Sequence, residues 1–471
     1  MRKIRRINIW LSVRQIDECC VSGLTEMGLR SESGGSAFGL KMILRHGFML
    51  IFHKKYVGFV AIGLLIGVSQ VFAQEGASTL GKDLLQDPTV KAAVTMARQI
   101  EESLIKTQIS LCEVPAPPFA EDVRASLYRE MFEKLGLENV RTDRVGNVLG
   151  ERPGLAPHPH LVFSAHLDTV FPKGTNVEVT RVGTVLEGPG IADDCRGLAV
   201  VLGVIRALDA AEVQTQGTIT FVGTVGEEGL GDLRGVRHLF NEELKGRIDR
   251  FVSVDGTGLG ITHVSVGSHR YRVTFKGPGG HSFGEFGLAN PVHALGRAIG
   301  LIADLQVPRE PKTTFSVGRI GGGTSVNSIA FEAWMEVDMR SLDPNALQAL
   351  DSEFQEAIGQ ALFEENKRWG DRGVLTVEIQ PIGNRPAGVM SEESPIVQTA
   401  VSVSRALELP TSLDAGSTDA NVPMSLGIPA ITIDGGGRGS GAHSLRERFD
   451  TIDSWQGTQR ATLLAIALSQ P

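Results

Sequence analysis

Cysteine is scarce in this chain, which has four in 471 residues. Cys19 and Cys20 lie near the N-terminus, and Cys112 and Cys195 are the two that remain in the rest of the sequence. Two cysteines are too few for a disulfide-stapled scaffold or for the cysteine-rich shell of a structural zinc site. The fold must therefore depend on burial of apolar side chains, and a composition of 42% hydrophobic and 21% charged residues is typical of a globular protein.

A hydrophobic run long enough to cross a membrane comfortably is also missing. Residues 54–73 begin with two lysines, continue with an apolar core of about 13 residues and end in Val71-Phe72-Ala73. This pattern is typical of a secretory signal peptide, with an uncleaved N-terminal anchor as the alternative. We therefore expect a signal peptide at residues 49–73 and export to the periplasm or the medium.

The segment before the signal peptide, residues 1–48, is basic and shows no clear structural element. Because a signal peptide normally starts a chain, we interpret this segment as an extension upstream of a true start at Met42 or Met49. The signal and the extension together contain 10 Lys and Arg and 4 Asp and Glu, so 36 basic and 50 acidic residues follow, a net charge of −14. This deficit of positive charge argues against a nucleic-acid partner, and signal cleavage removes any stable membrane association.

The order of predicted elements indicates an α/β protein. Buried strand-like runs occur at residues 160–165, 218–224, 250–254 and 430–433, and helical stretches at residues 196–211, 231–244 and 457–469. Such alternation predicts a mostly parallel sheet flanked by helices. We assign this domain to residues 80–269 plus 386–471.

Residues 270–385 depart from the alternation. Their pattern is strand, helix, strand, strand, helix, strand, which is the order of a ferredoxin-like α+β fold. The sheet pattern resumes afterwards, so we predict that these residues form a separate domain inserted into the first one.

Five short segments carry side chains suited to metal ions: His166-Leu167-Asp168, Asp193-Asp194, Glu227-Glu228, Asp255 and His443. A mixed His/Asp/Glu set without thiolates is typical of catalytic rather than structural zinc. Several segments follow predicted strands, and the carboxyl ends of parallel strands meet at one edge of a sheet. Any one segment alone is more simply a helix cap or a solvated corner, but their coincidence predicts a metal site.

The segments stand in longer strings that resemble a known family: SAHLDTVFP, GPGIADDCRGLA, GTVGEEGLGDLRG, SVDGTG, GPGGHSF and AHSLRERFD. They are similar to the dinuclear zinc exopeptidases and amidohydrolases, which include peptidase T, glutamate carboxypeptidase, acetylornithine deacetylase and succinyl-diaminopimelate desuccinylase. The resemblance covers about residues 85–471 and favours the peptidase T-like branch.

The resemblance implies a ligand set for two metal ions. His166 and Asp255 would bind one ion, Glu228 and His443 the other, and Asp193 would bridge them. Spacing alone leaves open whether the bridge is this aspartate or its neighbour. The ions would be zinc, with cobalt or manganese as alternatives that suit the same ligands.

Further roles follow from the same resemblance. Asp168 would orient the imidazole of His166. Glu227 would be the general base, taking a proton as a metal-bridging hydroxide attacks and returning it to the leaving amine.

Three residues of the inserted domain complete the candidate site. By the resemblance, His281 would reach an active site, often that of a partner subunit, and bind the oxyanion; a solvated loop histidine is the alternative. Asn327 would contact substrate. Arg340 would grip a substrate carboxylate, unless it forms a structural salt bridge with a nearby acid.

The leading hypothesis is a metal-dependent hydrolase that cleaves an amide bond of short peptides, acting as an exopeptidase or aminopeptidase on di- or tripeptides. A deacylase of N-acyl amino acids with the same chemistry is the first alternative. A two-domain binding protein with structural metal is the second, and the unligated Glu227 argues against it. By the resemblance, residues 270–385 would serve as a lid and form a homodimer.

Overall fold

The computed structural model describes residues 79–471. The predicted signal peptide and N-terminal extension lie outside the described residues. Across residues 79–471, none of the helices combines the length and the apolar character that crossing a bilayer would require.

The principal helices are, in chain order, α1 Pro88–Cys112, α2 Asp122–Lys134, α3 Cys195–Ala210, α4 Arg234–His238, α5 Pro291–Ala303, α6 Pro344–Arg368, α7 Pro395–Ala406, α8 Asn421–Ser425 and α9 Trp455–Leu468. Three of them begin with proline after an Asp or Asn whose side chain accepts a hydrogen bond from the first turn: α1, α5 and α6. Proline suits this position because it has no N–H to leave unpaired.

The strands are, in chain order, β1 Glu138–Thr142, β2 Val148–Arg152, β3 Leu161–His166, β4 Thr180–Val182, β5 Val185–Glu187, β6 Ile219–Thr224, β7 Arg250–Val254, β8 Ile261–Ser265, β9 Gly267–Lys276, β10 Gly280–His281, β11 Thr313–Gly322, β12 Ser328–Ile329, β13 Glu332–Ser341, β14 Thr376–Arg385, β15 Gly388–Val389, β16 Leu413–Gly416, β17 Ala430–Ile433, β18 Arg438–Ser440 and β19 Arg448–Asp450.

Nine strands form a mixed sheet in the order β1-β2-β6-β3-β7-β17-β8-β15, with β16 beside β8. The four central strands, β6, β3, β7 and β17, run parallel, whereas β1, β2 and β15 pair antiparallel with their neighbours. The predicted α/β class with helices around a sheet is confirmed. The parallel character is confined to the centre and to the β16–β8 pair.

Both faces of this sheet are covered. In β3, Leu161 and Phe163 pack into a core shared with α1, α3, α7 and α9, whereas Val162 packs into a second core with residues of α4 and α8. Alternate side chains of a strand point to opposite faces, so a strand covered on both faces is apolar throughout. This is why the central strands appear as continuous apolar runs in the sequence.

A second, antiparallel sheet has the order β11-β13-β9-β14 and carries α5 and α6. Strand β13 alternates between buried and half-buried residues, as expected of a sheet covered by helices on one face. Its core includes Phe275, Met335, Phe354 and Ile358. The order of these elements along the chain is the ferredoxin-like order predicted from the sequence. We refer to residues 267–385 as the four-stranded module.

The chain passes between the two sheets twice, at neighbouring points. Val266 joins β8 to β9, and Pro386 and the following residue join β14 to β15. Ser265 and Gly388 are paired across β8 and β15, so the two crossings lie side by side. The buried side-chain amide of Asn421 donates hydrogen bonds to the carbonyl oxygens of Val266 and Pro386, each at 2.9 Å.

The predicted helix at residues 231–244 is confirmed for most of its length, but it begins later than predicted and changes its helix type. The structure has a short 3₁₀ turn at Gly229–Gly231, the helix α4, and a π-helical turn at Leu239–Glu243. Asp232 and Leu233 adopt left-handed conformations with φ of 50° and 61°. These conformations end the 3₁₀ turn and delay the helix to Arg234, so a tight turn follows Glu228 before residues 234–243 become helical.

The two cysteines of the described chain form a disulfide, which the sequence interpretation missed. Cys112 ends α1, Cys195 begins α3, and the bond joins residues 83 positions apart. Both are fully buried and pack with Ile191 and Phe449. Cys195 is thus a buried helix-start residue and not a free thiol.

We expect this disulfide to stabilise the fold substantially. Closing a loop of this length restricts the unfolded chain, and such bonds contribute about 2–4 kcal/mol. The double variant Cys112→Ala/Cys195→Ala should lose that much free energy of unfolding in urea titrations. Reductant should destabilise the wild type to a similar degree and leave the double variant unchanged; a wild type that is insensitive to reductant during unfolding would contradict the expectation.

Candidate metal centre and active site

Three neighbouring parallel strands deliver acidic or imidazole side chains to one edge of the large sheet. His166 is the last residue of β3, Glu227 and Glu228 follow β6, and Asp255 follows β7. His443 comes from the loop between β18 and β19. The edge is the carboxyl end of the parallel strands, where ligands bind in sheets of this kind.

Asp193 lies between the two histidines. Its Oδ1 is 3.0 Å from Nε2 of His166, and its Oδ2 is 3.1 Å from Nε2 of His443. Nε2 of His166 is also 3.9 Å from Oδ1 of Asp255, and Nε2 of His443 is 3.1 Å from Oε1 of Glu228. The five predicted ligands therefore meet in two groups that share Asp193, which is the arrangement the resemblance implies.

Asp194 also lies close to His166 and Asp255. Its hydrogen bonds nevertheless argue against a role as the bridging ligand. Its Oδ2 accepts from the main-chain N–H of His166 at 3.0 Å, and its Oδ1 accepts from that of Gly197 at 2.9 Å as the N-cap of α3. Both oxygens are engaged by main-chain groups. This favours Asp193 as the bridging carboxylate.

Asp168 makes a different contact from the one predicted. Nδ1 of His166 lies 3.0 Å from the main-chain oxygen of Asp168 and 3.7 Å from its carboxylate. The carboxylate instead accepts from the N–H groups of Glu227 at 3.0 Å and Glu228 at 2.8 Å. Asp168 thus orients the imidazole through its carbonyl and fixes the glutamate pair through its side chain.

Glu447 has a similar function and was not singled out from the sequence. One carboxylate oxygen accepts from the N–H groups of Ala192 and Asp193 at 2.8 and 2.9 Å, and the other from those of Gly190 and His443 at 3.3 Å. The side chain is fully buried. A single carboxylate therefore joins the loops that carry two of the predicted ligands.

Electrostatics favour the binding of cations here. Burial raises the pKa of Asp255 well above its ordinary value, and repulsion by Asp193 adds to the effect. Burial raises the pKa of Glu227 to about 8, with Arg385 opposing and Glu228 adding to the shift. Hydrogen bonds to Asp193 and Glu228 raise the pKa of His443 to about 10. These carboxyl groups are crowded together, which disfavours their charged forms unless a cation lies close to them, and the oxygen and nitrogen donors of the cluster fit divalent metal ions.

The predicted base, Glu227, is buried and bound on one side. Arg385 donates from Nη1 to Oε1 of Glu227 at 2.8 Å and from Nη2 to its main-chain oxygen. Within residues 79–471, Oε2 of Glu227 has no hydrogen-bond partner. One carboxylate oxygen is therefore held while the other is available to exchange a proton.

The three predicted residues of the module do not contact this cluster within the described chain. His281 and Asn327 are exposed neighbours, since His281 pairs with Ser328 across β10 and β12. Arg340 forms an ion pair with Asp338 at 2.8 Å, the structural alternative considered for it. His281 and Asn327 therefore lie close together, whereas Arg340 lies apart from them on β13.

Histidine and carboxylate groups gathered at the carboxyl edge of a mixed α/β sheet are suited to metal-dependent hydrolysis. A family model described as Peptidase family M20/M25/M40 matches residues 162–467, well over half of the chain. The chain belongs to this family. The predicted family and the prediction of a hydrolase of metallopeptidase type are confirmed.

Proteins with different names are similar to this chain in sequence or in structure. YqjE of Bacillus subtilis is 25% identical over 348 residues, covering 71% of this chain and 90% of YqjE. Succinyl-diaminopimelate desuccinylase of Nitrosospira multiformis is 27% identical over 297 residues, covering 58% of this chain and 77% of that enzyme. The crystal structure of aminopeptidase PepT from Bacillus cereus superposes with a TM-score of 0.62 at 22% identity, covering 79% of this chain and 99% of PepT. The likeness to PepT confirms the fold.

We expect Glu447→Gln to weaken metal binding. The amide keeps one acceptor oxygen but turns an N–H₂ group towards main-chain donors, so the loops of Asp193 and His443 should separate. Residues that orient metal ligands typically contribute about 10–100-fold to metal affinity. Titration with zinc in a competing chelator would measure the change. Glu187→Gln is a suitable control because Glu187 is partly exposed and pairs with Arg448 instead; an unchanged zinc affinity in Glu447→Gln would contradict the assignment.

Proposed function

We propose that this protein is a metal-dependent exopeptidase that hydrolyses an amide bond of short peptides, di- or tripeptides in particular. The observation that carries the proposal is the position of Asp193 between His166 and His443, with the singly held Glu227 beside them. Two ligand groups that share a carboxylate suit a pair of cations, and a partly free glutamate suits proton transfer.

The proposed chemistry assigns distinct tasks to the chain's own residues. When bound, a pair of divalent cations lowers the pKa of a water molecule towards neutrality and polarises the scissile carbonyl. Glu227 accepts the proton of that water through Oε2 and delivers it to the leaving amine. Asp168 keeps Glu227 and Glu228 in place through their main-chain N–H groups.

We propose zinc for both ions, held by His166 and Asp255 on one side and by His443 and Glu228 on the other, with Asp193 shared. The donor set of imidazole nitrogens and carboxylate oxygens suits zinc, and it also suits cobalt and manganese. Metal analysis of protein purified without added metal would distinguish these ions.

We further propose that residues 270–385 form an inserted lid and dimerisation domain, and that His281 and Asn327 act on the site of a second copy. The two residues are exposed, adjacent to each other and not in contact with the metal cluster of their own chain within residues 79–471. This placement suits a contribution in trans. Arg340, paired with Asp338, has the weaker case as a substrate ligand.

Export to the periplasm or the medium is also part of the proposal. The Cys112–Cys195 disulfide supports it, because structural disulfides persist in oxidising compartments and are rare in the cytosol. N-terminal sequencing of the mature protein would test it; a product that retains residues before Gln74 would contradict signal cleavage.

A substrate panel tests the function. Zinc-loaded enzyme should hydrolyse di- and tripeptides, lose that activity with a chelator, and regain it when zinc is added back. Turnover of N-acetyl amino acids without turnover of peptides would instead support the deacylase alternative, which the desuccinylase relative favours. No turnover of either class with two zinc ions bound would support a binding protein.

A further inference from the structure

Arg385 lies where the four-stranded module returns to the large sheet. It is the last residue of β14, and its neighbour Pro386 begins the crossing that Asn421 binds. Its guanidinium lies beside the loop that follows β6. There it donates to the carboxylate and to the main-chain carbonyl of Glu227, and it donates to the hydroxyl of Ser417 at 3.1 Å. The side chains of Arg385 and Glu227 are each only 5% exposed.

The chemistry of this contact suits an arginine in particular. Glu227 lies near the carboxylates of Glu228 and Asp419, which repel it. A planar guanidinium can bind the side-chain oxygen and the main-chain oxygen of one residue at the same time, which restricts the side chain to one orientation. A lysine ammonium has no such fork. The arginine thus holds Oε1, whereas Oε2 has no hydrogen-bond partner among residues 79–471.

Further contacts join the same loop to the module. Asp232 accepts from the main-chain N–H of Asn384 at 2.9 Å, and Arg270 of β9 donates to the carbonyl of Gly229 at 3.1 Å. The loop after β6 therefore binds the ends of β9 and β14 at separate points. The position of Glu227 is linked to that of the module through Arg385 and through this loop.

We propose that Arg385 is a positioning residue for the reaction: it orients the general base Glu227 and ties that base to the module. The inference rests on the proposed function and extends it to a residue outside the ligand set. It follows from the geometry of one buried arginine that spans the boundary between the two sheets.

The test compares Arg385→Gln and Arg385→Lys with the wild type, all loaded with zinc and assayed on a dipeptide. Because small errors in the placement of a catalytic group can reduce rates by about 10²-fold, kcat of Arg385→Gln should fall by about that factor. KM and the content of two zinc ions should stay unchanged. Arg385→Lys should be intermediate, since its single ammonium can restore part of the contact.

A double variant tests whether Arg385 acts by positioning Glu227 or contributes to the reaction independently of it. If Arg385 acts through Glu227, then Glu227→Gln/Arg385→Gln should be no slower than Glu227→Gln alone. The thermal unfolding midpoints of the metal-free variants give a second readout, in which the shifts of the single variants should not add. Arg297→Gln is the matched control, because Arg297 also pairs with a buried glutamate, Glu365, at 3.0 Å within the module; its kcat should be unchanged.

Several results would overturn the inference. A raised KM with unchanged kcat in Arg385→Gln would make Arg385 a substrate ligand instead. Rate losses that multiply in the double variant, or midpoint shifts that add, would mean that Arg385 does not act through Glu227. An active wild type with unchanged kcat in Arg385→Gln would refute the positioning role alone, whereas a wild type that hydrolyses nothing would refute the proposed function as well.

Discussion

Glu227→Gln should retain both metal ions and lower kcat by about 10²–10⁴-fold, the usual contribution of a general acid–base group. Glutamine keeps the shape of the side chain and an oxygen for Arg385, and Asp168 binds only the main-chain N–H at this position. The fall in kcat of Glu227→Gln should therefore reflect the loss of proton transfer by this side chain. Steady-state kinetics on a dipeptide, with zinc measured in the same preparation, would record it.

A matched control for this variant is Glu365→Gln. Glu365 is likewise a buried glutamate paired with an arginine, but it lies in α6 of the module. Its replacement should reduce stability and leave kcat unchanged. Activity of Glu227→Gln close to the wild-type level would exclude Glu227 as the base, and loss of zinc from that variant would assign it a ligand role.

Asp193→Asn should prevent the protein from binding two metal ions. Asp193 presents one oxygen to each histidine, and an amide offers only one oxygen and no negative charge. Since residues that merely orient ligands affect metal affinity by about 10–100-fold, the loss at a shared ligand should reach or exceed the upper end of that range. Zinc stoichiometry after dialysis would fall to one ion or none, and peptide hydrolysis would fall with it.

The control for the second prediction is Asp209→Asn, because Asp209 is exposed in the last turn of α3, at the opposite end of that helix from Asp194, and pairs with Arg152. Its zinc content should equal that of the wild type. Two tightly bound zinc ions in Asp193→Asn would show that the bridge is another carboxylate, and Asp194 would then be the residue to test.

The strand ends were predictable because the physical signals are local. His166, Glu227 and Asp255 each follow a continuous apolar run, and such runs identify buried parallel strands without any knowledge of their order. The ferredoxin-like order of strands and helices in the module could also be predicted from the sequence, because helices and strands differ in the periodicity of their apolar residues. Apolar runs and periodicity can both be recognised in a single sequence.

The contacts that orient these predicted ligands could not be predicted in the same way. The carboxylate of Glu447 binds main-chain N–H groups more than 250 residues earlier, and any sequence supplies main-chain N–H groups. The carboxylate of Asp168 contacts the loop after β6 because β3 and β6 are adjacent, and strand order does not follow from periodicity. Arg385 and Glu227 are 158 residues apart, with no spacing rule that joins an arginine to its acid.

The disulfide illustrates the same limit. A count of two cysteines excluded a stapled scaffold, which is correct, but it could not say whether the pair would meet. The meeting depends on the packing of α1 against α3, which places the end of one helix beside the start of the other. Pairwise proximity is a property of the tertiary fold.

The side-by-side crossings between the two sheets have a consequence for how such a protein can be remodelled. Ser265 and Gly388 are already register partners, so a two-residue turn could join β8 to β15 as an ordinary hairpin if the module were removed. The large sheet would need no change of strand order. The module can therefore be exchanged without rethreading the sheet that carries the predicted ligands, provided that the graft replaces the contacts of Arg385, Arg270 and Asn384 with the loop after β6.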